Sequence, residues 1–193
     1  MSSHDSSCAQ ARALLLRGKS GVLSTLSVDV PGYPFGSVVP YCLDGQGNPV
    51  IYISDIAQHS KNIDHDGRVS IIIQADDGDD VQAVARLTLL ADAEKLDPDE
   101  LGLKRRYGRF FPSSGDYTQA HGFFFCRLRV FKARYIGGFG EIYWFDAEDL
   151  LRPNPFFPEE EEKAIAHMNE DHLPFLENCL PPMDNSVSHE SRN

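Results

Sequence analysis

His59, Ser60 and Lys61 place an imidazole, a hydroxyl and an ammonium on consecutive positions, just after a β-type run and at the start of an amphipathic helix. A cation and a hydroxyl there suit a phosphate, which takes charge-assisted hydrogen bonds and the unpaired N–H groups of a first helical turn. Residue types alone leave a solvated helix face equally open. Arg68 and Arg86 are further cations that could join such a clamp. Gly137-Gly138-Phe139-Gly140 is a second constellation, since glycines admit positive φ and let a backbone approach a ligand or a β-bulge form. It lacks the strand-to-helix setting of a dinucleotide fingerprint, so nicotinamide binding through it is rejected.

The third constellation is His167-Met168-Asn169-Glu170-Asp171-His172. Histidines at i and i+5 lie roughly 140° apart around a helix, so a helical zinc pair is excluded, while a single axial heme ligand stays open. Asp76-Asp77-Gly78-Asp79-Asp80 reads as a solvated acidic loop rather than a calcium site, because no six-ligand spacing follows. The 4 cysteines, Cys8, Cys42, Cys126 and Cys179, form no C-x-x-C pair and read as buried or incidental thiols. No G-x-S-x-G or Cys–His hydrolase pattern is present, and no catalytic residue is assigned; Glu141 beside the glycine turn is the one acid worth following.

The elements that must hold these groups are mostly strands. Cys8 to Lys19 has a helical pattern with Gly18 as its stop. Strand patterns follow at Gly21–Val28, through Ser37, Val38, Val39, Pro40 and Tyr41, and at Val50–Ile53, with Asp44-Gly45-Gln46-Gly47-Asn48 as a turn. Asp55 is expected to cap a helix over Ile56–His65 that Gly67 closes. Val69–Gln74 reads as a buried strand and Val81–Leu96 as one long strand, with Val84, Leu87 and Leu89 inside. Helices are expected from Asp97 toward Pro112 and over Ser114–His121, then strands over Phe123–Ile136 and Ile142–Phe145. Pro153, Pro155 and Pro158 mark a linker before a helix over Glu159–Asn178. Strands joined mostly by short turns, with few helices between them, indicate a mainly β (α+β) antiparallel barrel with flanking helices.

Composition narrows the function classes. A formal charge of −11 over 193 residues leaves no basic excess for a general nucleic-acid binder. No run reaches the roughly 18 apolar residues of a membrane span. Residues Met1–Ser7 lack a secretory pattern, so a cytoplasmic protein is expected.

Six segments in order, Gly36-Ser37-Val38-Val39-Pro40-Tyr41, Ile53 through Asn62, Arg68-Val69-Ser70, Arg86-Leu87-Thr88-Leu89, Arg106-Tyr107 and Tyr135 through Gly140, resemble the pyridoxamine-5′-phosphate-oxidase-like split-barrel superfamily, in its HugZ-type heme-utilisation branch. The resemblance covers residues 10–150. It implies a six-stranded split barrel that forms a homodimer and holds FMN, or alternatively heme, at the subunit interface. Ser37, Val38, Val39 and Tyr41 would line the flavin ring; Ser54, His59, Ser60 and Lys61 would form its phosphate end. His167 or His172 would be the possible heme ligand. Residues 8–150 would be the barrel, 159–180 a truncated form of the helical domain attached to these barrels, and 181–193 a disordered tail. The expected function is flavin redox chemistry on a small-molecule substrate, with heme binding and degradation, or a cofactor-less binding module, as alternatives.

Overall fold

The computed structural model describes residues 3–75, 82–97, 102–114, 122–138, 140–156 and 158–171. Helix α1 (Ser3–Arg17) leads into β1 (Ser20–Leu26), β2 (Pro34–Leu43), β3 (Pro49–Ser54), α2 (Gln58–His65), β4 (Arg68–Gln74) and β5 (Arg86–Lys95). Then come α3 (Leu103–Phe110), β6 (Phe123–Ile136), β7 (Ile142–Asp146) and α4 (Ala147–Leu150), and after them α5 (Pro158–Asp171). The chain divides into two compact units, Met1–Asn154 and Pro155–Asn193.

All strand pairings are antiparallel, in the order β3-β2-β1-β4-β5-β6-β7, and β3 also pairs with β6. That pairing closes six strands into a barrel and leaves β7 as an addition on β6, which is the expected split-barrel architecture. Period-two patterning creates it: Leu23 and Thr25, Val39 and Tyr41, Ile71 and Ile73, and Leu87 and Leu89 turn inward and are buried, while their neighbours face out. Strand β6 is long enough to pair with β5, β3 and β7 in turn. Its inward phase slips between Val130 and Ala133, because a β-bulge there leaves Phe131 as the extra residue and pushes it outward.

A second apolar cluster lies outside the barrel, where Cys42 and Val50 from outward strand positions meet Leu96, Leu103 and Tyr107 under α3. Helix α1 packs Ala11 and Leu15 onto the barrel, and Arg12 donates to the carbonyls of Leu150 and Asp149 at the end of α4, where helix carbonyls lack partners. Burial pushes the thiols of Cys42 and Cys126 up to about 12, so both are inert, as expected for core cysteines; Cys179 lies outside the described residues.

Several expectations are corrected. Helix α1 begins five residues before Cys8, although Gly18 does end it by donating its N–H to Leu14. Strand β5 starts at Arg86, and Val84 is buried ahead of it. Asp55 does not cap α2: its backbone N–H is taken by the Gly122 carbonyl, and the cap position is Ala57, which makes no side-chain bond. The Gly137–Gly140 segment is the hairpin turn between β6 and β7 rather than a bulge; Gly138 and Gly140 adopt φ of 119° and 90° there. The helix expected at Ser114–His121, from residue 115 onward, and the acidic loop at 76–80 lie outside the described residues. Among the described residues no helix is long and apolar enough to cross a membrane.

Candidate functional site

The outer faces of β2, β3 and β6 meet α3 in a cavity of about 420 Å³, lined chiefly by Pro40, Tyr52, Tyr107, Phe110, Phe111 and Phe123. Its volume falls in the range of roughly 300–1,000 Å³ usual for small-molecule sites. Strand alternation builds one wall, because Tyr52 and Ser54 share the outward face of β3 and Phe123 pairs with Ser54 across the ladder. Helix α3 builds the other, with Tyr107 and Phe111 meeting one turn apart at a ring separation of 4.7 Å. Tyr52 ties the walls together, 5.7 Å from Tyr107 and 5.1 Å from Phe123. These separations are those of mutually packed aromatics, so the walls are ordered before any ligand arrives. Burial raises both phenols, so Tyr52 and Tyr107 stay protonated and neutral. Ser113 and Ser114 complete the lining.

The residues expected to line a flavin ring divide by strand parity. Val38 is 76% exposed and faces outward on the same side of β2 as Pro40, which lines the cavity. Val39 and Tyr41 instead point into the barrel, where the Tyr41 hydroxyl donates to the Leu15 carbonyl at 2.8 Å. Their side chains cannot meet an external ring. Ser37 is half-buried at the barrel end, with its hydroxyl 3.2 Å from His59 Nδ1.

The expected phosphate end is also rearranged. The Ser60 hydroxyl is buried and donates to the Ser54 carbonyl at 2.5 Å, closing α2 onto the end of β3. Lys61 lies on the exposed side of α2; its backbone N–H donates to the Ala57 carbonyl, and its ammonium has no hydrogen bond or ion pair among the described residues. Arg68 is held in a two-pronged bond to Asp66, whose carboxyl this partner keeps well below the usual carboxylate range; Arg86 donates to the Gln82 carbonyl.

Fully buried Asn62 holds α2 in place. It donates to Thr25 Oγ1 at 2.8 Å and accepts from the Val28 N–H at 3.1 Å and from Gln58. His59 Nε2, beside it on α2, is buried without a hydrogen-bond partner, and desolvation lowers the pKa of the ring. A histidine whose folded pKa lies below its unfolded value leaves stability intact above the unfolded value, about 6.5, and takes stability away as pH falls below it. Urea unfolding between about pH 7 and pH 5 is therefore expected to show a decline that is shallower in His59→Gln; equal slopes in both proteins would count against a buried neutral His59.

His167 Nδ1 lies 2.7 Å from Asp171, one turn on in α5, with both side chains exposed; His172 lies outside the described residues. Glu141 is exposed at the β6–β7 turn, where its carbonyl accepts from the Gly137 N–H. Among the described residues no group of three or more His, Cys, Asp or Glu side chains could hold a metal ion. Sequence reasoning missed the aromatic cavity. Its signal was present in Tyr52 on the outward phase of β3 and in Tyr107, Phe110 and Phe111 at helical spacing.

Comparison with known proteins adds three relatives and a family. The model of the family described as CREG, beta-barrel matches residues 2–151. The chloroplastic heme oxygenase HOZ of Arabidopsis thaliana is 27% identical over 175 residues, covering 84% of this chain and 52% of that protein. The heme oxygenase HutZ of Vibrio cholerae is 28% identical over 144 residues, covering 70% of this chain and 80% of that protein. Among solved structures, a heme binding protein from Mycobacterium smegmatis is 35% identical with a TM-score of 0.68, covering 86% of this chain and 69% of that one. The chain thus spans about half the length of the Arabidopsis relative, 52%, and more of the other two.

Proposed function

The chain belongs to the CREG β-barrel family, and from that membership we propose that it binds heme in the aromatic cavity between α3 and the outer face of the barrel, and acts in heme handling of the oxygenase type. The observation that carries this reading is the cavity itself: two walls of packed rings around about 420 Å³, with no acid among its lining residues. A planar apolar macrocycle laid against these packed rings gains through burial and ring contacts. When bound, heme supplies the redox and oxygen chemistry. The part of Tyr52, Tyr107, Phe110 and Phe123 is to bind the ring, orient it and exclude water.

The relatives named as heme oxygenases or as a heme binding protein support the same ligand class here. Within α5, the carboxylate on His167 Nδ1 favours the tautomer whose lone pair is on Nε2, the arrangement common for metal-ligating histidines. FMN, the cofactor first expected from the resemblance, is the competing occupant.

Titration of the purified protein with hemin, beside FMN, separates the readings. Heme binding predicts a saturable Soret band, shifted in His167→Ala if that residue ligates iron. Saturable quenching of FMN fluorescence without a Soret change would favour the flavin reading, and neither signal would leave a binding module without cofactor.

A homodimer is proposed on the exposed outer face, where the ladder aligns Val38, Val22 and Ile72 across β2, β1 and β4, with Trp144 51% exposed on β7. Sedimentation should give about twice 21.6 kDa, and Val38→Lys should shift it toward the monomer.

A further inference from the structure

We propose that the protein carries a second binding site, for a small oxyanion of the carboxylate or phosphate type, held between Arg129 and Arg152. The site is a cavity of about 420 Å³ where the turn between β2 and β3, strand β6 and the end of α4 meet. It shares no lining residue with the aromatic cavity and does not depend on the heme reading. Its polar lining is Gln46, Asn48, Arg129, Glu148 and Arg152.

The walls are tied together by bonds that leave the donors of the lining unused. In the turn, the buried Asp44 carboxylate accepts from the Gln46 N–H at 2.8 Å, the Asn48 N–H at 2.9 Å and Arg127 Nε at 2.7 Å. Asn48 Oδ1 accepts from the Val130 N–H at 3.1 Å, which joins the turn to β6 and leaves the amide NH2 as the group without a partner. The segment after α4 is laid against the same turn: the Asn154 N–H donates to the Gly45 carbonyl at 2.8 Å. Gly47, at a φ of 87°, lies so close that a Cβ there would stand 3.1 Å from the Arg152 carbonyl. Arg152 Nη1 donates to the carbonyls of Glu148 and Leu151, which anchors one corner of its guanidinium. Its Nε and Nη2, and the whole guanidinium of Arg129, have no hydrogen bond or ion pair among the described residues. Asp92, the ladder partner of Arg129 on β5, lines the other outward groove together with Arg68.

These groups decide the class of ligand. Guanidinium and amide N–H groups need acceptors, and the lining supplies one acid, Glu148, against two arginines, so one positive charge is in excess. In a chain of formal charge −11 that excess is local, and an anion matches it. Two planar forks engage the oxygens of a carboxylate or a phosphate in pairs. The cavity is larger than the bare group requires and leaves room for a small organic body against Leu151.

The test follows the side-chain NMR signals of the full chain, arginine Nε–H and asparagine NH2, as inorganic phosphate or succinate is added at constant ionic strength, with NaCl as the control. The Arg129, Arg152 and Asn48 signals should shift and saturate with a Kd that is roughly millimolar, and NaCl should not reproduce the shift. Arg129→Gln should weaken binding about tenfold, and Arg129→Lys should recover only part of it, because an ammonium lacks the fork. Glu148→Gln should tighten binding about threefold by removing a like charge, a gain that damage to the fold would not produce.

Saturation with either anion supports the site, and the tighter of the two identifies the ligand as a phosphate or a carboxylate. Shifts that grow without saturating for both anions, that NaCl reproduces, or that are unchanged in Arg129→Gln would overturn it. Weaker binding in Glu148→Gln would overturn the assignment of the ligand as an anion.

Discussion

Replacing Asn62 by leucine is expected to destabilise the fold by about 3 kcal/mol. Asn62 is 0% exposed and serves three partners at once, from β1, from the segment after it and from its own helix. Leucine fills the space but leaves the Val28 N–H and one lone pair of Thr25 without partners in the interior, at a cost of about 1–3 kcal/mol for each lost partner of a buried group. For a chain of this size the melting temperature should fall by roughly 6–12 °C. Asn62→Asp keeps the acceptor for Val28 but loses the donor to Thr25 and buries a charge, so it too should destabilise. A double-mutant cycle with Thr25→Val should show non-additivity of about 1 kcal/mol, because the two side chains share one hydrogen bond. A melt of Asn62→Leu indistinguishable from the wild type would show that α2 is held by something else.

Phe110→Asp should abolish most hemin affinity while leaving the fold intact. Phe110 lines the cavity yet is 50% exposed in the free chain, so an aspartate there remains hydrated and stability should be unchanged. Seating an apolar ring against it would strip that hydration from the carboxylate, and Arg106, one turn back on α3, already donates to the Leu43 carbonyl. This penalty is expected to be at least about 2 kcal/mol, or roughly thirtyfold in Kd. Phe110→Leu keeps the apolar wall and should lose only a few-fold. The contrast between the two variants, read with circular dichroism and hemin titration, separates cavity chemistry from general damage. Equal hemin affinity in Phe110→Asp and the wild type would move the ligand away from α3.

Much of the barrel was legible because period-two burial is a property of each strand by itself. Strand β6 was read with the bounds the structure gives it, Phe123–Ile136, and Leu87 and Leu89 were read as buried. The ends set by distant partners were not legible. Asp55 looks like a helix cap in any local window, but its N–H belongs to Gly122, a residue 67 positions later in the chain, through the β3–β6 closure. The bulge at Phe131 was hidden because one extra residue in a strand shows only as a phase slip among residues that are all plausible strand formers.

The site shows the same division. The neighbourhood of α2 was found from residue types, but type cannot tell a serine facing a ligand from one bonded to a backbone carbonyl, and Ser60 is the latter. Parity could have removed Val39 and Tyr41, since a strand whose Val38 faces outward turns both of them inward. The aromatic cavity joins Tyr52, Tyr107 and Phe123 from three separate elements. Each is an ordinary strand or helix aromatic until α3 is laid across the barrel.

The central claim is the place of the ring, and the structure of the hemin complex tests it most directly. The account predicts the macrocycle between α3 and the outer faces of β2 and β3, in contact with Tyr52, Tyr107 and Phe123. A macrocycle seated instead in the other outward groove, against Ser24, Ser70 and Leu90, with the aromatic cavity empty, would contradict it.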